Sequence, residues 1–150
     1  MDFDNIDSIL DYAIAREAEA ADLYTDLADR VTRPGMREAF LQFAEEERGH
    51  RRRLERVKAG ELPAVTSEQV RDLKIADHLV DPEPTANMTY QEVLLFAMKS
   101  EKASYALYTK LAALADNEDL AAVFRSLAQE EAKHKLRFEI EYDDHVLEGN

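Results

Sequence analysis

The chain has 150 residues, the length of a single domain, of which 45% are hydrophobic and 34% charged, with four Gly, four Pro and no Trp. This composition excludes an all-β sandwich and a disordered chain, and it favours long helices. The absence of cysteine excludes disulfides, thiolate zinc sites and iron–sulfur clusters, and the formal charge of −13 argues against nucleic acid and membrane as partners. Since no apolar run approaches ~20 residues and the first residues do not resemble a signal peptide, we expect a cytoplasmic protein.

Four segments carry apolar residues at steps of three and four, the spacing that keeps side chains on one face of a helix. We predict four helices of about 25 residues, each roughly 37 Å long. Pro34 favours a helix start, Thr89 and Glu92 have capping-box spacing, and Asn117 lies in a candidate cap for the fourth helix. We call the residues that share one face of each predicted helix a stripe. In chain order the four stripes are Leu10, Ala13, Glu17, Ala20, Tyr24, Leu27, Val31; Met36, Phe40, Phe43, Glu47, His50, Leu54, Val57; Tyr90, Leu94, Ala97, Glu101, Ser104, Tyr108, Leu111, Ala115; and Leu120, Phe124, Leu127, Glu131, His134, Phe138.

The segment between the second and third helices differs in composition. It holds Pro63, Pro82 and Pro84 around a short predicted helix at 67–79. A segment of this length suffices to run along a bundle and start the third helix parallel to the second, as in ferritin-like bundles. We therefore predict one all-α domain over 1–150, a ferritin-like four-helix bundle. Its two helical hairpins, 5–59 and 89–148, are joined by a crossover at 60–88.

The sequence also repeats itself at an offset of 84. The run at 23–28, LYTDLA, recurs at 107–112 as LYTKLA. A repeat this regular predicts two hairpins related by a pseudo-two-fold axis. The same offset relates three polar pairs: Glu17 and Glu101, Glu47 and Glu131, His50 and His134.

These six polar residues lie on stripes that are otherwise apolar. Buried carboxylates are costly without a compensating positive charge, and neither Lys nor Arg lies on the stripes. Each hairpin places a lone Glu at the same distance before a Glu-x-x-His pair, whose two side chains share one helical face. Two such halves are the pattern of di-iron and di-manganese carboxylate proteins. Oxygen and nitrogen ligation without sulfur suits Fe(II) or Mn(II) better than structural zinc, although Zn can substitute in a crystal.

Residues 13–24, AIAREAEAADLY, with 43–50, FAEEERGH, resemble the first half-motif of rubrerythrin-type ferritin-like proteins. Residues 99–108, KSEKASYALY, with 127–134, LAQEEAKH, resemble the second, so the resemblance covers both hairpins. It implies two irons, with the following ligands and roles: Glu17 and Glu101 as terminal carboxylates, His50 and His134 as terminal nitrogen ligands, and Glu47 and Glu131 as bridges. Tyr24 and Tyr108 lie two turns after the lone Glu; they either donate hydrogen bonds to ligand carboxylates or serve as core aromatics.

The chain departs from the family pattern in two ways. It has none of the four cysteines of the C-terminal rubredoxin-like domain, so electrons would come from a separate donor protein or from Fe(II) itself. Ala20 and Ser104 stand where rubrerythrins carry an extra carboxylate in one hairpin. This second departure favours six-ligand ferroxidase chemistry over peroxide reduction.

From the pattern and the resemblance we expect an oxidoreductase that oxidises Fe(II) with O2 or hydrogen peroxide. The alternatives are an iron-storage protein, a manganese catalase-like enzyme or hydroxylase on the same fold, and a non-catalytic helical interaction module. We also expect a homodimer, with exchange of hairpins through the long crossover as one form of it.

Three features are set apart from this site. Glu141 and His145 extend the fourth stripe, either as a second metal site or, as we favour, as a polar helix end. His78 has no identifiable partner. Arg51, Arg52 and Arg53 are interpreted as a salt-bridged face exposed to solvent.

Overall fold

A computed structural model of the chain describes residues 6–61 and 88–144. The four helices in these ranges are α1 (Ile6–Arg30), α2 (Pro34–Lys58), α3 (Tyr90–Leu114) and α4 (Glu118–Tyr142). Each contains 25 residues, as the stripes predict. The described residues contain no strand, and no helix among them combines the length and apolar character needed to cross a bilayer. The predicted crossover at 60–88 and its short helix lie almost entirely outside the described residues.

The chain divides between residues 64 and 65 into two compact units, each built on one helical hairpin. In the first unit α1 and α2 run antiparallel. Asp11 near the start of α1 pairs with Lys58 at the end of α2, while Tyr24 further along α1 stacks on Phe40 near the start of α2 with ring centroids 6.0 Å apart. The buried apolar residues of this hairpin are Leu10, Ala13, Ala21, Tyr24, Leu27, Ala28, Val31, Met36, Phe40, Ala44, Leu54 and Val57.

In the second unit α3 and α4 pair in the same antiparallel way. Gln91 at the start of α3 donates a hydrogen bond of 3.1 Å to the hydroxyl of Tyr142 at the end of α4. Near the other end Tyr108 stacks on Phe124, with ring centroids 6.3 Å apart. The stacked pair is the counterpart of Tyr24 and Phe40 at the offset of 84, so the repeat in the sequence is a repeat of packing.

The starts of three helices follow the predicted residues. Thr89 and Glu92 form a complete capping box, with each side chain accepting from the other residue's backbone N–H at 3.1 Å. Asn117 caps α4 through a 2.8 Å bond from the Leu120 N–H. Pro34 occupies the first turn of α2, but the N-cap residue there, Arg33, makes no side-chain cap bond. Three of the four helices therefore begin where local chemistry predicts.

Every predicted stripe position is buried except four, Ala20, Phe43, Tyr90 and Ala115, which are half-buried. Ala21 is buried whereas Ala20 is only half-buried, and Ala44 is buried whereas Phe43 is half-buried. Because an α-helix has a non-integral number of residues per turn, steps of three and of four both keep to one face, and the sequence pattern alone does not choose between neighbours. All six predicted ligand residues are buried.

Candidate metal centre

The first hairpin brings together Glu17 from α1 with Glu47 and His50 from α2. The three residues are at most 3% exposed, and each offers a ligand atom within 4.8 Å of the others. The Nδ1 atom of His50 lies 3.6 Å from Oε2 of Glu17 and 3.7 Å from Oε1 of Glu47. Two carboxylates and one imidazole thus converge on a single point.

Helix geometry explains this convergence. Glu47 and His50 are one turn apart on α2, so their side chains project from the same face. Glu17 is the twelfth residue of α1, and Glu47 is the fourteenth residue of α2. Because the helices are antiparallel and equally long, both residues lie at mid-height, with about 16 Å or more of helix on either side.

The second hairpin repeats the arrangement with Glu101 from α3 and with Glu131 and His134 from α4. These residues are at most 4% exposed and also offer ligand atoms within 4.8 Å of one another. Nδ1 of His134 lies 3.6 Å from Oε1 of Glu101, the same distance as between the equivalent atoms of His50 and Glu17. The Oε2 atom of Glu101 is buried and accepts no hydrogen bond.

The electrostatics of the first cluster disfavour negative charge. Burial raises the pKa of the Glu17 carboxyl to about 8, with the neighbouring Glu47 acting in the same direction and His50 in the opposite one. A carboxyl group in such a place takes up a proton unless a cation replaces it. The donor set therefore fits a divalent metal: hard carboxylate oxygens and imidazole nitrogens, buried close together, are the ligands that Fe(II) and Mn(II) accept.

Tyr24 and Tyr108 are buried, and each follows a ligand Glu by seven residues along the chain. The ring of each tyrosine forms aromatic pairs. Tyr24 stacks on Phe40 and meets Phe43 edge-on at 6.2 Å, while Tyr108 stacks on Phe124. These contacts support the core-aromatic interpretation. Hydrogen bonding from their hydroxyls to ligand carboxylates stays a prediction.

The structure places Glu141 in a hydrogen-bonded setting. Its carboxylate accepts from the Tyr90 hydroxyl and from Arg137, the latter at 3.3 Å. This agrees with a polar helix end, and no candidate metal cluster among the described residues includes Glu141. His78 and His145 lie outside the described residues. Among the arginines, Arg51 pairs with Glu55 at 3.1 Å and Arg52 with Glu45 at 3.3 Å, the exposed salt bridges predicted for this face.

Two features escaped the sequence analysis. Lys135 and Glu139 form an ion pair of 3.3 Å in which both side chains are buried. The amide oxygen of Gln129 is buried without a hydrogen-bond partner, beside a groove between α3 and α4. Lys135 and Glu139 are sequence neighbours of His134 and Phe138 on the predicted stripe, and periodicity alone does not choose between such neighbours. Gln129 lies off the stripe. Comparison of the two repeats position by position would have marked Gln129, since it replaces Glu45.

Comparison with known proteins gives two matches. The sequence model of the Rubrerythrin family matches residues 8–142. A solved structure, a hypothetical protein from Pyrococcus furiosus, is 26% identical, with a TM-score of 0.68 over 90% of this chain and 86% of that one. No curated protein matches significantly. With the four helices, the family match confirms the predicted all-α, ferritin-like four-helix fold class.

Proposed function

The chain belongs to the rubrerythrin family, and on that premise we propose that it is a non-haem di-iron oxidoreductase that oxidises Fe(II) with O2 or hydrogen peroxide. One observation carries the proposal: each hairpin buries a lone Glu together with a Glu-x-x-His pair, with ligand atoms within 4.8 Å. The same donor set occurs twice at the same helix heights. A single buried Glu-x-x-His would be weak support for a metal centre. Two copies in a member of this family are specific support for a two-metal carboxylate centre.

We assign the ligand roles by the family pattern. Glu47 and Glu131 would bridge two irons, Glu17 and Glu101 would each bind one iron, and the two histidines would complete the shells. In this proposal the two hairpins contribute equal halves to one two-metal centre. The lone Glu and the Glu-x-x-His pair are equally far apart along the chain in both hairpins. This equal spacing supports the assignment, because it sets the ligands of both hairpins at one height along the helices.

The bound irons would supply one-electron redox chemistry and an attachment point for the oxidant. The protein's own residues hold the ligand atoms and exclude water from them. The raised pKa of the Glu17 carboxyl, about 8, means that this group holds a proton at neutral pH when no metal is bound. Metal binding must displace that proton, so uptake of Fe(II) is expected to release protons and to strengthen as the pH rises.

The test is an anaerobic titration with Fe(II), followed by stopped-flow mixing with O2 and, separately, with peroxide. We expect two equivalents bound per chain and oxidation faster than that of free Fe(II). Glu47→Ala should abolish both, whereas Glu19→Ala, on the exposed face of α1, is the matched control and should change neither. Equal iron stoichiometry in Glu47→Ala and in the native chain would contradict the proposal. A parallel titration with Mn(II), followed by peroxide, tests for catalase-like chemistry.

We further propose that the chain forms a homodimer and that hairpin exchange is the route to it, because the crossover joins two similar halves that each carry half of the ligands. Refolding a Glu17→Ala chain with a Glu131→Ala chain tests the exchange. Exchanged heterodimers contain one centre with both lesions and one with neither, so about half of the heterodimer centres should recover metal. Without exchange no centre recovers.

A further inference from the structure

The exposed face of α3 towards its end differs in charge from the rest of this acidic chain. Residues 102–114 contain no acid, in a chain that has 32 acidic residues. Two large hydrophobic residues are exposed there, Tyr105 by 38% and Leu114 by 56%. Steps of three and four place the exposed residues of this segment on one side of the helix. We call this surface the lysine face, made of Lys102, Tyr105, Ala106, Lys110, Ala113 and Leu114.

The equivalent surface of α1 has the opposite charge. It presents exposed carboxylates at steps of three and four residues, so these side chains also share one side of their helix. We call this surface the acidic face, made of Glu19, Asp22, Asp26 and Asp29, whose positions correspond at the offset of 84 to Ala103, Ala106, Lys110 and Ala113. Where the first hairpin has a row of acids, the second therefore has alanines and a lysine.

The acidic face is unfavourable in an isolated chain. Asp22 and Asp26 are like charges one helical turn apart, and Asp29 lies in the last turn of α1, where the helix dipole favours cations. Arg30 pairs with Asp26 at 2.9 Å, but among the described residues neither Asp22 nor Asp29 takes part in an ion pair. No candidate metal cluster within the described ranges includes these acids. A row of carboxylates so placed is stabilised when a cationic surface covers it.

The lysine face matches the acidic face in charge and in spacing. Lys102 and Lys110 are eight residues apart, which is about 12 Å along a helix. Asp22 and Asp29 are seven residues apart, about 10.5 Å. Both lysines are exposed, and in the part of the chain that the structure describes Lys110 takes part in no ion pair. Two helices packed side by side therefore bring each lysine within reach of one aspartate.

We infer that two copies of this chain associate, with the acidic face of each copy packed on the lysine face of the other. A two-fold axis makes this contact twice, which doubles the buried area. Ala106 and Ala113 let the two helices approach closely, and Tyr105 is of a type enriched at protein interfaces. The overall charge of −13 repels one copy from another, so association depends on this local match of opposite charges. Neither face contains a proposed metal ligand, and the contact requires no exchange of hairpins.

Charge reversal on each face tests the contact in the full chain. Lys102→Glu with Lys110→Glu makes both faces acidic, and Asp22→Lys with Asp26→Lys and Asp29→Lys makes both basic. Each variant alone meets like charge in both contacts, and its self-association should be at least tenfold weaker than that of the native chain. An equimolar mixture has opposite charges in both contacts and should form heterodimers with an affinity within about threefold of the native dimer. Native mass spectrometry distinguishes the species by mass, and sedimentation equilibrium gives their dissociation constants.

A matched control and the native chain complete the design. Arg56→Glu with Lys133→Glu reverses two exposed cations outside both faces, the same charge change as on the lysine face, and should leave association unchanged. Thermal melts confirm that the variants fold. Independently of any variant, raising the salt concentration about tenfold should weaken the native dimer several-fold, because the contact depends on exposed charges.

Four outcomes would overturn the inference. One is a native chain that stays monomeric up to about 1 mM. Another is a mixture that forms no heterodimers, and a third is a native dimer that does not respond to salt, since a dimer held by hairpin exchange alone is insensitive to charge on these faces. The fourth is association that a chelator abolishes, because the acidic face would then bind a divalent cation and not a second copy of the chain.

Discussion

The two hairpins carry equivalent ion pairs in the same register, but in different surroundings. Arg51 and Glu55 on α2 lie 3.1 Å apart with about half of each side chain exposed, whereas their equivalents on α4, Lys135 and Glu139, lie 3.3 Å apart and are at most 7% exposed. The ligand triads of the two hairpins, by contrast, are alike in burial and in the 3.6 Å separation of His and lone Glu. Thus the repeat has kept the geometry of the two ligand clusters while its flanking faces have diverged. A basic residue four positions before a Glu has different energetic consequences in the two halves.

The largest expected effect concerns the ligand clusters, which the two hairpins have in common. Glu47→Ala and Glu131→Ala should each remove both metals, because in our proposal each residue bridges them. His50→Ala and His134→Ala should each weaken mainly one site. Counting bound Fe(II) in the four variants tests this, and the symmetry predicts that the two variants of each pair behave alike. A Glu131→Ala chain that still binds two equivalents would contradict the assigned roles.

The next largest effect distinguishes the buried ion pair of α4 from the exposed ion pair of α2. Glu139→Ala removes the carboxylate that lies 3.3 Å from the buried Lys135 ammonium and should lower the free energy of unfolding by about 3–5 kcal/mol. Glu55→Ala, the matched control on the exposed face, should cost less than about 1 kcal/mol. Chemical denaturation of both variants measures the difference. Replacing both partners, Lys135→Met with Glu139→Leu, should restore most of the loss, because the pair is then exchanged for apolar packing.

Lowering the pH should stabilise the metal-free protein, whereas protonation of carboxyl groups usually destabilises a folded protein. The folded pKa of Glu17, about 8, lies above its ordinary value of 4.5. The folded state therefore retains a proton that the unfolded state has lost, and this contribution to stability is present at low pH and is lost as the pH rises from 4.5 through 8. We expect metal-free protein to be more stable at pH 6 than at pH 8, by up to about 1.4 kcal/mol per pH unit for one proton.

Thermal melts of chelator-treated protein across this range provide the measurement. Glu17→Gln removes the titrating group and should flatten the dependence, whereas Glu19→Gln should not. A metal-free melting temperature that is unchanged or higher at pH 8 would argue against a buried carboxyl cluster.

The smallest effect concerns the helix starts. Asn117→Ala and Thr89→Ala remove observed caps and should each cost about 1 kcal/mol. Arg33 has extended backbone geometry at the N-cap of α2 but provides no side-chain cap, so Arg33→Asp should stabilise the protein by a similar amount. Denaturation midpoints of the three variants test both the expected losses and the expected gain of stability. If Arg33→Asp destabilises the chain, another interaction of Arg33 outweighs the missing cap.

The sequence predicted those features that depend on spacing along one helix or one hairpin. The helix lengths, the capping box at Thr89 and the clustering of Glu17 with Glu47 and His50 all follow from periodicity, local capping chemistry and equal arm lengths. The choice between Ala20 and Ala21 did not, because both are compatible with the period of an α-helix. Nor did the burial of Lys135 follow from the sequence. Arg51 and Lys135 each precede a Glu by four residues, and this spacing does not encode what packs beside the helix.

The position of the ligands along the helices affects how the molecule opens. All four carboxylates lie at the twelfth or fourteenth residue of their helices, close to the middle of each. Helix ends fray in fast, shallow openings, while central turns exchange their amide hydrogens only in larger and rarer ones. The amides around Glu17, Glu47, Glu101 and Glu131 should therefore be among the slowest to exchange. Departure of a bound ion would then be limited by these rare openings and not by the continual fraying of the ends.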